Sequence, residues 1–218
     1  MYCIHAPQPW LASLGYLYFQ EHLSSQSVQY GYYVARERYL FEAYQREQVF
    51  LDGDCKNLPL TLALAELMPA ARFLHIVRKP ESFIASGLAR GYFKSKPPQL
   101  WGHLAEGLIL PNPEITLEQQ IAYIAKFWNI ANGIAEEAKQ LLGKRVTTLI
   151  AESMFDNPES VVRSLEALEL DCTLTTESAY QVAHLNKQAH FPPELPQQHN
   201  LIQHAIERYC DTRSLYYG

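Results

Sequence analysis

The sequence predicts an α/β protein built around a short parallel sheet, and three observations carry that expectation. From residue 48 onward, short apolar runs alternate with amphipathic helical patterns, the signature of β-α-β units. Prolines and cap residues stand where those helices would begin. The composition, 48% hydrophobic and 19% charged, is that of a packed globular chain and excludes disordered, collagen-like and coiled-coil classes. At 218 residues one core is expected, without repeats, low-complexity tracts or a Gly/Ser linker. We read residues 1–218 as one domain: a helical, aromatic-rich segment over 1–47, the α/β core over 48–170, and a loop with a final helix over 171–218.

The first 47 residues carry Tyr16, Tyr18, Phe19, Tyr30, Tyr32, Tyr33, Tyr39, Phe41 and Tyr44. Such a stripe suits a core, a lid or the wall of an acceptor pocket. Val49-Phe-Leu reads as a short buried strand. Pro59 opens a helix carrying Leu62, Leu64, Leu67 and Met68, closed by Pro69, and Arg72-Phe-Leu-His-Ile-Val-Arg78 reads as a second strand. Pro80 then starts the next helix at the position where its missing N–H costs nothing. Thr116-Leu-Glu-Gln119 has the pattern of a capping box, and Ile121, Ile124, Trp128, Ala131, Ala135, Ala138 and Leu142 follow along one helical face. Gly143 is placed to end that helix in a left-handed conformation. Arg145-Val-Thr-Thr-Leu-Ile supplies a third strand, and Asp156-Asn-Pro-Glu159 starts another helix whose Val161, Val162, Leu165 and Leu168 turn inward. A loop over 171–198 with clustered Pro192, Pro193 and Pro196 precedes a last helix over 199–213.

The formal charge of −5, from 18 basic and 23 acidic side chains, argues against a general nucleic-acid or anionic-membrane binder. The best apolar stretch is interrupted by Glu66, Pro69 and Arg72 and falls short of the roughly 18–20 residues of a membrane span. Cys3, Cys55, Cys172 and Cys210 are scattered, fitting neither a zinc knuckle nor a disulfide framework. The start, Met1-Tyr-Cys-Ile-His-Ala-Pro, lacks the features of a secretory leader. A reducing cytoplasm is therefore the expected location, and no metal is implied.

The chemistry concentrates in Arg72-Phe-Leu-His-Ile-Val-Arg-Lys-Pro-Glu-Ser-Phe-Ile-Ala-Ser86. A strand ending in Arg78, a turn and a Pro-led helix set a guanidinium beside a helix N-terminus at the carboxyl edge of a parallel sheet, where both attract anions. Ser86, in the second turn of that helix, adds a hydroxyl donor. Arg72, Arg78, Lys79, Arg90, Lys94 and Lys96 make the neighbourhood basic in an acidic chain, faced locally only by Glu81. In the alternative, Arg78 belongs to a solvated basic face and pairs with a carboxylate.

Glu66-Leu-Met-Pro-Ala-Ala-Arg-Phe-Leu-His-Ile-Val-Arg78 with Lys-Pro-Glu-Ser-Phe-Ile-Ala-Ser86 resembles the second nucleotide-binding motif of sulfotransferases that use 3′-phosphoadenosine 5′-phosphosulfate (PAPS). The resemblance implies a P-loop NTPase-like three-layer fold and assigns Arg78 and Ser86 to the donor's 3′-phosphate. The family's usual Asp after the Arg is here replaced by Glu81 or Ser82. Val146-Thr-Thr-Leu-Ile-Ala-Glu152 and Asp156-Asn-Pro-Glu159 resemble the family's late strand, acidic segment and following helix. Asp54-Cys-Lys-Asn-Leu-Pro59 resembles its short Lys-containing segment near the donor, which makes Lys56 a third candidate for donor binding.

One departure stands out. The family opens with a strand, a phosphate-binding loop of Arg/Lys-Ser-Gly-Thr/Ser-Thr character and a helix that hold the 5′-phosphosulfate. Here Gly102 and Gly107 alone have the Walker spacing, and Leu108-Ile109 follow them where Lys-Ser/Thr is required. The expectation is an N-terminally incomplete or non-catalytic relative. His22, beside Glu21, and His103, three residues before Glu106, are candidates for the base that takes the acceptor's proton, and Asn186-Lys187 for a loop closing over the nucleotide. The resemblance implies sulfuryl transfer from PAPS to a hydroxyl or amine of a small-molecule or carbohydrate acceptor. The alternative is a nucleotide- or partner-binding module without turnover.

Overall fold

A computed structural model of the chain describes residues 1–5, 11–95, 111–157, 159–170 and 196–211. Their contacts divide it into two compact units, one formed by Met1–Ala71 and one that begins at Arg72.

In the first unit, β1 (Tyr2–His5) leads to α1 (Leu11–Phe19) and α2 (Ser25–Gln45). Then come β2 (Phe50–Gly53), a 3-10 segment (Cys55–Leu60) and α3 (Thr61–Leu67). β1 and β2 pair in parallel, Tyr2 opposite Phe50 and His5 opposite Gly53. Ser24 caps α2 by accepting from the Ser27 N–H. Every third or fourth residue of α2 turns inward, with Val28, Tyr32, Ala35, Arg36 and Ala43 buried. The Tyr2 hydroxyl donates to Glu42 at 2.7 Å, which ties β1 to α2. β1 falls in the segment expected to be helical. Four residues are too few for period-two alternation to stand out, and pairing with β2, 48 residues away, decides their conformation. The expected helix at Pro59 begins two residues later, because the 3-10 segment takes Pro59 into its own last turn.

In the second unit, β3 (Phe73–Val77) and α4 (Pro80–Ala89) precede the long α5 (Leu117–Leu142). A short 3-10 turn (Gly143–Arg145), β4 (Val146–Ile150), α6 (Ala151–Asp156), α7 (Glu159–Ala167) and α8 (Pro196–Tyr209) follow. β3 pairs in parallel with β4 from Phe73 opposite Val146 to Val77 opposite Ile150. The capping box of α5 is complete: the Gln119 N–H donates to Thr116 Oγ1 at 3.2 Å and the Thr116 N–H to Gln119 Oε1 at 3.1 Å. Gly143 takes φ +56° at its end, a conformation that side chains with a Cβ resist. The core joins Val77, Ile84, Ile124, Trp128 and Ile206 from β3, α4, α5 and α8.

The mixed α/β character and the parallel pairing expected from the sequence are present. Among the described residues the strands form two separate two-stranded sheets, β1–β2 and β3–β4, where a single short sheet was expected. No described helix is long and apolar enough to cross a membrane.

His75, on β3, is held neutral: burial pushes its pKa down to about 4, the Lys139 charge acts in the same direction, and a hydrogen bond with Asn132 opposes them. Between about pH 6.5 and pH 4 the unfolded chain binds a proton at this residue that the folded chain does not. Its neutral burial is therefore without penalty above about pH 6.5, and stability is lost as pH falls to about 4. We expect the unfolding free energy from urea titrations through this window to decline, by up to about 3 kcal/mol from this residue alone. His75→Gln should flatten that part of the curve.

Candidate anion site and a buried charge network

The candidate site sits at the carboxyl edge of the β3–β4 pair. β3 runs into the sheet because Phe73, His75 and Val77 share one face, and Val77 is fully packed in the core. Arg78 follows immediately, and its carbonyl accepts a hydrogen bond from Trp128 Nε1 at 2.9 Å, fixing the turn from below through α5. Lys79 has extended-side geometry at the helix start and Pro80 is the first helical residue, as the sequence reading expected. At the start of α4 Pro80 has no N–H and the Lys79 N–H already donates to a carboxylate, so the helix end contributes mainly the positive end of its dipole. Ser86 lies in the second turn and is 4% exposed.

Glu152 completes this edge. It lies two residues beyond β4, and its carboxylate accepts the Lys79 N–H at 3.0 and 3.3 Å. An acid beside the helix N-terminus is favourable by itself, and it is also a like charge for any phosphate that binds there. The sequence reading counted Glu81 as the sole local acid; Glu152 is 73 residues away in the chain and is brought in by the β3–β4 pairing.

The six-residue basic cluster read from the sequence does not gather at this edge. Arg72 precedes β3, at the opposite end of the strand, and pairs with Glu169 at 3.3 Å. Arg90 caps the far end of α4, a helix of about 15 Å, where it suits the negative end of the dipole. Lys94 follows it. Arg78 and Lys79 remain at the edge; Lys96 lies outside the described residues. Nearness in sequence across a strand and a helix is not nearness in space.

Lys56 is in the first unit, in the 3-10 segment after β2, and is 5% exposed. Its ammonium donates to Asp54 Oδ1 at 3.0 Å. Asp54 also takes Arg36 Nη2 at 3.0 Å, and Arg36 Nε binds Asp52 at 2.7 Å. The Tyr32 hydroxyl donates to Asp52 at 3.0 Å, and burial, followed by the Asp52 charge, raises the pKa of that phenol far above its usual value. Two cations and two carboxylates thus neutralise one another inside the unit, so Lys56 stands in a paired network. The sequence reading missed Arg36. Its signal is a charged residue four positions after Tyr32 on the buried stripe of α2.

Of the candidate bases, His22 is exposed in the turn that ends α1, where its N–H donates to Leu17 O at 2.9 Å and Glu21 takes φ +58°. His103 and Asn186-Lys187 lie outside the described residues. Among the described residues no cluster of His, Cys, Asp and Glu is arranged to hold a metal ion. The aromatic stripe divides: Tyr32 is core, whereas Tyr30, Tyr33, Phe41 and Tyr44 are on the solvent side of α2. A scan against protein-family models returns no match for this chain, and searches of curated proteins and of solved structures return none either.

Proposed function

We propose that the chain is a relative of the PAPS-dependent sulfotransferases and binds the 3′-phosphate of the donor at the carboxyl edge of the β3–β4 pair. The observation that carries this reading is the unbroken order of strand, Arg78, Pro-led helix and Ser86 in a parallel β-α unit. Arg78 supplies a planar fork of donors matched to phosphate, and α4 supplies the positive end of its dipole. The residues fit a phosphate, with Glu152 and Glu81, the acid in the first turn of α4, as carboxylates it must accommodate.

In the reaction, the acceptor's oxygen or nitrogen attacks sulfur and the bond from sulfur to the bridging phosphate oxygen breaks. Adenosine 3′,5′-bisphosphate leaves, and the acceptor's proton passes to a base. Acceptors are small molecules or carbohydrates bearing a hydroxyl or amine.

A specific observation favours the second reading, a nucleotide-binding module with little turnover. The residues joining β1 to α1 are Ala6-Pro7-Gln8-Pro9-Trp10. Two prolines carry no N–H, and there is no glycine to bring backbone close to a phosphate. The family's 5′-phosphosulfate loop depends on both.

Calorimetric titration with adenosine 3′,5′-bisphosphate against adenosine 5′-phosphate tests the binding reading. In the same assay Glu152→Gln should tighten the bisphosphate by about fivefold, because it removes a like charge while its amide oxygen still accepts the Lys79 N–H. Unchanged or weaker binding would mean that the phosphate does not sit at this helix end.

A further inference from the structure

One peptide group at the candidate site is held from both sides. The carbonyl of Arg78 accepts from Trp128 Nε1 at 2.9 Å, and the N–H of the same peptide unit, which belongs to Lys79, donates to the Glu152 carboxylate at 3.0 and 3.3 Å. A trans peptide is planar, with its C=O and N–H pointing in opposite directions, so bonds to partners on two separate elements fix the whole plane. Pairing with β4 orders the chain through Val77, and the Lys79 carbonyl accepts the Phe83 N–H of α4 at 2.9 Å. Arg78 therefore stands between an ordered strand end and a clamped plane, which sets the direction in which its side chain leaves the turn.

Filling the core does not by itself call for a tryptophan at position 128. Trp128 is 1% exposed and packs with Ile84, Ile124 and Ile206, and its indole N–H is the one polar group its side chain carries into that core. A buried donor requires an acceptor, and this one meets a carbonyl 50 residues away in the chain, on the turn that bears Arg78. We infer, on the reading of Arg78 as the ligand of the 3′-phosphate, that Trp128 is a positioning residue for the anion site: with Glu152 it clamps the Arg78–Lys79 peptide and so aims the Arg78 guanidinium.

Hydrogen exchange tests the clamp without nucleotide. In the unliganded chain the Lys79 amide should exchange at least about threefold faster, relative to the amides of β3, in Trp128→Phe and in Glu152→Ala. Calorimetry tests the consequence. The affinity advantage of adenosine 3′,5′-bisphosphate over adenosine 5′-phosphate should fall about three- to tenfold in Trp128→Phe, which keeps an aromatic ring and removes the donor. It should persist in Ile124→Val, which trims the same core one helical turn away and touches no hydrogen bond of the clamp. Glu152→Gln and Glu152→Ala remove the same charge, but only glutamine keeps an acceptor for the Lys79 N–H, so Glu152→Ala should bind the bisphosphate about fivefold more weakly than Glu152→Gln. That pair remains informative if Trp128→Phe does not fold. Unchanged Lys79 exchange, an advantage untouched by Trp128→Phe, an equal loss in Ile124→Val, or equal affinities of the two Glu152 variants would overturn the inference and leave the phosphate reading standing. No bisphosphate advantage in the unsubstituted chain would overturn the phosphate reading itself, and the positioning role with it.

Discussion

Arg36→Ala is expected to lower the unfolding free energy of the chain by about 3–5 kcal/mol, a large part of what a domain of this size possesses. The arginine side chain is 0% exposed and bridges Asp52 and Asp54, themselves 8% and 0% exposed. Its removal leaves Asp52 with the Tyr32 hydroxyl and Asp54 with Lys56, one positive charge for two buried carboxylates. The penalty arises from an uncompensated buried charge and exceeds what the ion pairs themselves contribute. Arg36→Lys should recover only part of it, since an ammonium cannot serve both carboxylates from one planar fork. Urea midpoints followed by circular dichroism measure both variants. A loss below about 1 kcal/mol for Arg36→Ala would show that water reaches the network and relieves the charge.

What could be read from the sequence was local. The capping box of α5, the Pro at the start of α4, the strand before Arg78 and the positive φ of Gly143 each depend on residues within four positions, and all are present. What could not be read was tertiary. β1 is a strand because β2 lies beside it, and Arg36 matters because β2 delivers Asp52 and Asp54 to it. Glu152 reaches the Lys79 N–H at the start of α4 through strand pairing. The basic cluster failed for the converse reason: β3 and α4 carry Arg72 and Arg90 away from Arg78.

Turnover is where the second large effect is expected. Losing one oxyanion-type donor typically slows a reaction by about 10²–10³-fold, and the family's 5′-phosphosulfate loop supplies several donors together with a cation. Ala6-Pro7-Gln8-Pro9-Trp10 replaces none of the glycines and omits two N–H groups. With PAPS and a panel of hydroxylated acceptors, the chain should therefore give sulfated product at a rate more than about 10³-fold below that of a sulfotransferase that carries the loop. Mass-spectrometric detection of product and of adenosine 3′,5′-bisphosphate follows both halves of the reaction. Robust turnover would mean that another segment of the chain stabilises the transferring group. Binding should suffer much less, because the proposed 3′-phosphate site lies in a different part of the sequence.

That separation makes the 3′-phosphate the most direct test. In calorimetry, adenosine 3′,5′-bisphosphate should bind more tightly than adenosine 5′-phosphate, and Arg78→Ala should remove most of the difference. A charge-assisted pair of hydrogen bonds contributes about 1.5–3 kcal/mol, so the loss should be about 10- to 150-fold for the bisphosphate and slight for the monophosphate. Far-ultraviolet circular dichroism of Arg78→Ala should be unchanged, because it is the backbone carbonyl of Arg78 that receives the Trp128 hydrogen bond. Equal affinities for the two nucleotides in the unsubstituted chain, or an advantage of the bisphosphate that persists in Arg78→Ala, would contradict the assignment.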